Sequence, residues 1–301
     1  MGAAVAILTT ATLASAGYGD FDGPYAPPAG HAGTTAIHRT DASFVAWATD
    51  CEVVRGLQNV ADPDVNGDGT DDYATHGTPD EAIGPANASS GNPYPVVSLG
   101  DGGYATLTFD RPITNGPGFD FAVFENGFII EENMSVDPDF WGLAFLELAY
   151  VEVSSDGTNF FRFPAVSLTP LNKQWEGIDT TYIHNLASKY KANYGTPFDL
   201  EELAGTPGLD VTRVTHVRIV DAVGSIDPAY GTQDSQGNLV NYGWPTPYGT
   251  SSMDLDAVGV LHEASDTVAV PGPIGVLIPL AGLLCLMGSR KLREKRERLP
   301  A

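Results

Sequence analysis

The stretch "DPDVNGDGTDDY", Asp62 to Tyr73, sets oxygen-bearing side chains at alternate positions. Asp64, Asn66 and Asp68 stand two apart, Gly69 follows, and Asp72 is the ninth residue counted from Asp64. A hard divalent cation takes several oxygens at ~2.3–2.6 Å, and D-x-N-x-D-G supplies them around a turn that needs glycine. The chemistry expected is Ca2+ binding. The twelfth position is Thr75, where a complete EF-hand has a bidentate Glu, so this loop is not an EF-hand. A solvated turn uses the same residue types, because Asn, Asp and Gly favour loops on their own account.

A second acidic set lies on expected strands. Asp254 and Asp256 in "MDLDAV" point to one face, Asp120 and Glu125 flank "FAVFE", and Asp221 ends "VRIVD". Two acids on one strand face repel unless something neutralises them, which makes Asp254 and Asp256 a second candidate metal pair. Polar strand edges turned to solvent are the competing reading. A glycosidase needs an acid and a base ~5–9.5 Å apart, and sequence alone does not place Glu125, Glu147 or Glu152 in such a cleft. The chain has no G-x-S-x-G, H-E-x-x-H, C-x-x-C or P-loop motif, and its six histidines are scattered. No catalytic residue is assigned. In "NYGWPTPYG", Tyr242, Trp244 and Tyr248 offer rings on which sugar C–H faces can stack, and polysaccharide is the expected ligand class. A Trp-Pro packed inward to pin the loop is the alternative.

The elements that must hold these residues read as strands. "YATLTF" alternates, "FDFAVFE" is aromatic-rich, and "FLELAYVEVSSDG" runs into a turn before "NFFRFPAVSL". "VTHVRIVDAV" and "MDLDAVGVLHE" complete the set. Period-two patterning between Gly, Pro, Asn and Asp is the antiparallel signature, and many short strands in one domain predict an all-β sandwich. One helical insertion is expected, in "IDTTYIHNLASKYKANYG" (178–195) and "DLEELAG" (199–205), where Tyr182, Leu186 and Tyr190 share a side.

Both ends differ from this body. Residues 1–16 are uncharged, with an apolar run from Ala3 to Ala14 and an A-x-A site at Ala14–Ala16, as in a signal peptide. The last 12 residues hold six of the 15 basic and two of the 38 acidic residues, which leaves residues 17–270 with nine and 36. That anionic body repels nucleic acid, so no nucleic-acid partner is expected. The run Ile274–Met287 is 14 residues and a span needs about 20, reached by counting from Val268 and letting basic stems snorkel. Arg290, Lys291 and Arg293 begin a basic stop, which places the acidic body outside a membrane. Cys51 has no partner in the body, because the other cysteine, Cys285, lies in the apolar tail.

"VPGP", an apolar run and a basic cluster together resemble a PEP-CTERM sorting signal over about the last 32 residues. Val270, Pro271 and Pro273 match V-P-x-P, and Gly272 stands where Glu is commonest. The resemblance implies a bacterial exported protein, a C-terminal transmembrane helix and processing by an exosortase-type enzyme. "YVEVSSDGTNFFRF" is similar to a hairpin of discoidin-like and carbohydrate-binding jelly rolls, which often hold a structural calcium near their terminal strands. "VSLGDGGYATLTFD", "GFDFAVFENGF" and "SMDLDAVGV" resemble a family of bacterial cell-surface proteins with no assigned reaction. The Asp64–Asp72 loop resembles the short calcium loops of dockerin-like modules. The organisation expected is a signal peptide (1–16), a jelly-roll-like β-sandwich (17–265) and a sorting signal (266–301). The function expected is that of a non-enzymatic, surface-anchored protein, calcium-stabilised and binding a glycan or matrix component. An extracellular polysaccharide hydrolase and a purely structural envelope protein are the alternatives.

Overall fold

The computed structural model describes residues 18–265. The signal peptide, the sorting residues Val270, Pro271 and Pro273, the basic stop at Arg290, Lys291 and Arg293, and the expected membrane helix lie outside the described residues. Among the described residues, no helix is long and apolar enough to cross a membrane.

The described strands are β1 (Ile37–His38), β2 (Ala46–Trp47), β3 (Asp50–Val54), β4 (Val97–Ser98), β5 (Tyr104–Ile113) and β6 (Phe121–Glu125). They continue with β7 (Phe128–Ile129), β8 (Ala144–Phe145), β9 (Ala149–Ser154), β10 (Phe161–Arg162) and β11 (Val166–Ser167). The last five are β12 (Ile183–His184), β13 (Leu186–Ala187), β14 (Tyr194–Phe198), β15 (Val214–Asp221) and β16 (Asp254–Val260). One six-stranded sheet runs β1-β14-β6-β16-β2, with β4 also on β16; the other runs β10-β9-β15-β5-β3, with β13 also on β9. Every named pair is antiparallel, so the all-β expectation holds. Alternate residues of the two sheets meet in one core. Leu107, Val151, Val153, Val217 and Ile219 from one sheet pack with Phe121, Val123, Phe198, Leu255, Val258 and Val260 from the other. Burying apolar surface at ~25 cal/mol per Å² favours this face-to-face packing. Cys51 is a free cysteine in the same core, and burial pushes its thiol up to about 12.

Each strand expected from the sequence is present, and the "SSDG" turn joins β9 to β10 with Phe161 opposite Val153. Asp156 accepts from Thr158 N and Asn159 N at 2.8 Å, and Gly157 takes φ +73°. The helical insertion does not form. Residues 178–195 carry three non-glycine residues at positive φ, namely Asn185, Ser188 and Asn193, and each breaks a helical run. Before Asn185 β12 pairs with β11, and between Asn185 and Ser188 β13 extends the second sheet. Residues 199–205 hold only the short 3-10 turn Leu200–Leu203, capped by the Asp199 side chain accepting from Glu201 N. Available strand edges outcompeted the weak local helical spacing.

Strand ends converge at one end of the sandwich. β6 ends at Glu125, β16 begins at Asp254 beside it, and β15 ends at Asp221 against the start of β5. The turn leading into β5 is built from glycine. Gly100 has φ +76°, and a Cβ on Gly103 would lie 2.0 Å from Leu99 O. No other residue permits that approach.

Candidate functional site

Five carboxylates collect at this end: Asp101, Glu125, Glu147, Asp221 and Asp254, each no more than 6% exposed. Asp254 opens β16 directly opposite Ser98 of β4. Ser98 Oγ donates to its Oδ1, and Asn126 Nδ2, just past β6, donates to its Oδ2 at 2.9 Å. Glu147 precedes β9 and accepts from Thr246 Oγ1 at 2.9 Å. Gly127 N donates to Glu125 Oε2. Asp101, held on the glycine turn, accepts from Val60 N, Ser252 Oγ and Trp244 Nε1. Asp221 accepts from Gly102 N at 3.1 Å and Met253 N at 3.2 Å, tying the two sheets together. Arg55 reaches this end but its guanidinium donates to the carbonyls of His76, Gly77 and Ser98.

Burial in a low-dielectric end of the fold disfavours the charged form of every member. Burial raises Asp254 to about 6, against the hydrogen bonds from Ser98 and Asn126. Glu147 stands well above the usual carboxylate range through burial, with the charges of Asp254 and Glu125 adding to it. Glu125 and Asp221 are raised well above that range by burial first, then by the charges of Asp254 and Asp101 respectively. Asp101 is raised by burial against three donors. The five form one electrostatically linked file, and its members retain protons at pH values where a surface carboxylate is ionised.

Glu147 and Asp254 open onto a cavity of about 390 Å³. Asn126, Thr246, Thr250 and His76 share its lining, and Tyr94, Phe128, Phe145 and Tyr248 wall it. Tyr94 is 71% and Tyr248 68% exposed, so both present ring faces at the mouth. The floor therefore offers groups that both donate and accept hydrogen bonds, and the walls offer apolar faces.

The residues singled out in the sequence are distributed as follows. Tyr242, Trp244 and Tyr248 do not form one platform. Tyr242 is fully buried, with its phenol raised by burial and by nearby Asp221, and Trp244 is pinned through its indole N–H to Asp101. Only Tyr248 faces the cavity. Asp254 and Asp256 part company: Asp254 joins the carboxylate file, whereas Asp256 accepts from Asn87 N and Ala88 N. A bulge between Leu255 and Ala257 breaks the strict alternation between them. Burial raises Asp256 too, to about 6. Of the three glutamates weighed as catalytic, Glu125 and Glu147 are in the file and Glu152 is not, being paired with Arg162 at 2.8 Å.

The Asp64–Asp72 loop is closed by its own hydrogen bonds. Asp64 accepts from Asp68 N and Gly69 N, Asp72 accepts from Asn66 N and Nδ2, and Asp68 accepts from Thr70 N and Oγ1. Among the described residues, no three His, Cys, Asp or Glu side chains converge as metal ligands would. No protein-family model matches the chain, and no curated protein matches it.

Proposed function

We propose that this protein is an exported, surface-tethered β-sandwich that binds a neutral saccharide in the carboxylate cavity. The observation that carries the reading is the pairing of Glu147, held well above the usual carboxylate range by burial, and Asp254, raised to about 6, with the exposed rings of Tyr248 and Tyr94. A saccharide presents hydroxyls that need both donors and acceptors, and C–H faces that stack on aromatic rings. The test is binding to an array of neutral and acidic glycans by the full chain. Tyr248→Ala should weaken the best neutral ligand about tenfold or more, and absence of any glycan binding overturns the reading.

Hydrolysis is the second reading, because two carboxyls in one cavity with a retained proton meet the first requirement of a general acid. Release of reducing ends from a polysaccharide, lost in Glu147→Gln, would replace simple binding with this one. The jelly-roll kinship, the membrane helix and processing by an exosortase-type enzyme belong to the same proposal. The jelly-roll kinship rests on the "YVEVSSDGTNFFRF" hairpin, and the membrane helix and processing on the V-P-x-P, apolar and basic layout of residues 270–301. Deleting Pro271–Ala301 should release the protein into the medium. Calcium at Asp64, Asn66, Asp68 and Asp72 is likewise proposed from the D-x-N-x-D-G spacing. Chelation should then lower the melting temperature, and an unchanged melt removes calcium from the account.

A further inference from the structure

A second cavity, of about 190 Å³, lies where residues 18–31 strap across the β7–β8 ribbon and the 180–191 segment. The strap is fixed by Gly19 N and Phe21 N donating to Asp179 Oδ2 at 3.1 Å, and by Gly23 N donating to Thr181 Oγ1 at 3.0 Å. Lys189, Lys191 and His31 line this cavity, and no Asp or Glu does. In a body with 36 acidic and nine basic residues, that composition is the reverse of the surroundings.

Lys189 is only 4% exposed. Its Nζ donates to Ile183 O at 2.7 Å, and the rings of Tyr25 and Tyr190 lie 5.9 and 5.7 Å away. Among the described residues it has no carboxylate within ion-pair distance. The nearest acid to act on it, Asp179, already accepts from Gly19 N, Phe21 N, Thr181 N and Thr181 Oγ1. Thr180 lines the same cavity, and its buried hydroxyl has no hydrogen-bond partner. Unmet buried donors are costly, at ~1–3 kcal/mol each. Ser188, immediately before the lysine, is held at φ +67°, a conformation that a serine adopts only under constraint from its surroundings.

We propose that this cavity binds a small organic carboxylate, with its oxygens taken by Lys189 Nζ and the Thr180 hydroxyl. Phe21, Ile129 and Ala144 receive the carbon body. The volume is of the order that holds a benzene-sized group, as a dry cavity of ~150 Å³ does. This site is separate from the saccharide cavity, so either assignment can fail alone.

Proton linkage gives the site a signature. Burial lowers Lys189 to about 7, with the charge of Asp179 opposing. The other groups facing it are Tyr25 and His31 on the strap, Tyr190 and Lys191 on its own segment, and His184, which is itself lowered by burial. A bound anion favours the ammonium form, so binding takes up a proton near neutral pH.

The experiment is titration calorimetry on the full chain with acetate, lactate, benzoate and galacturonate, and with inorganic phosphate, at pH 6.0 and 8.5. At least one carboxylate should bind about tenfold tighter at pH 6.0, with proton uptake seen as a dependence of heat on buffer. Lys189→Met fills the same volume without a charge, and it should abolish that binding while keeping the melting transition. No carboxylate binding at either pH, binding that survives Lys189→Met, or binding of phosphate alone overturns the proposal.

Discussion

Asp254 shows how one residue is tuned and how little of that tuning its neighbours in sequence reveal. Two acids spaced two apart on a strand marked the position, but its partners Ser98 and Asn126 stand 156 and 128 residues away in the chain. Glu147 and Asp101 gave even less signal, the first lying in an apolar run and the second between glycines that read as an ordinary turn. Tyr242 misled in the other direction: its aromatic loop context suggested exposure, while the fold buries it against Asp221. The sign of the Asp254 effect follows from its raised value of about 6, compared with ~3.9 in an unfolded chain. Below pH 4 both states hold the proton and no penalty exists. As pH rises through 6 the folded state must ionise a buried group, and stability is lost. Asp254→Asn removes that penalty, so its stability relative to the native chain should improve between pH 4 and 7.5. The improvement expected is on the order of 1–3 kcal/mol, read from urea unfolding at the two pH values. An equal gap at both values would show that the Asp254 side chain ionises without hindrance.

Elements decide which of these residues meet. Strand existence was legible because period-two patterning bounded by turn residues survives as sequence, and β5, β6, β9, β15 and β16 all lie where the pattern put them. The 178–195 segment was not legible as strand, because Tyr182, Leu186 and Tyr190 mimic helical spacing while the deciding contacts, to β11 and β9, are non-local. The β16 bulge was hidden as well, and it is what sends Asp254 and Asp256 to different partners. The element that most directly aims the site is the glycine turn before β5. Gly103 lies against the Leu99 carbonyl and Gly56 N, so a Cβ there would be 2.0 and 2.6 Å from backbone atoms. Gly91 has open space around its Cβ position. Gly103→Ala should therefore cost about 2 kcal/mol or more and disturb Asp101 and Asp221 together, whereas Gly91→Ala should be nearly neutral. Equal melting temperatures for the two variants would mean that the turn relaxes freely and does not aim the carboxylates.

For the molecule as a whole, the net charge of −23 was plain from composition, but composition does not say which acids are buried. The fold divides them into two populations with opposite pH behaviour. Asp101, Asp120, Glu125, Glu147, Asp221, Asp254 and Asp256 are all raised, in each case by burial first. Their stabilising contribution is complete at low pH and declines as pH rises through the raised values, about 6 for Asp254 and Asp256. Asp41, Asp68, Asp137, Asp156, Asp210 and Asp234 are lowered by hydrogen bonds to the charged form; Asp234 is buried, Asp137 half-buried and the other four exposed. Their contribution is lost only as pH falls below the ordinary carboxylate range, and exposure keeps the share of Asp41, Asp68, Asp156 and Asp210 small. Self-repulsion among surface acids acts in the same direction as the buried set, because it too eases when carboxylates protonate. The stability maximum should therefore lie near pH 5 and fall toward pH 8, with added salt recovering part of the loss at pH 8 by screening the surface share. Urea midpoints at pH 5, 6.5 and 8, each at low and high NaCl, measure this directly. A midpoint that rises steadily to pH 8 would mean that the end carboxylates ionise in the folded state at little cost. The proton-holding floor on which saccharide binding depends would then not exist.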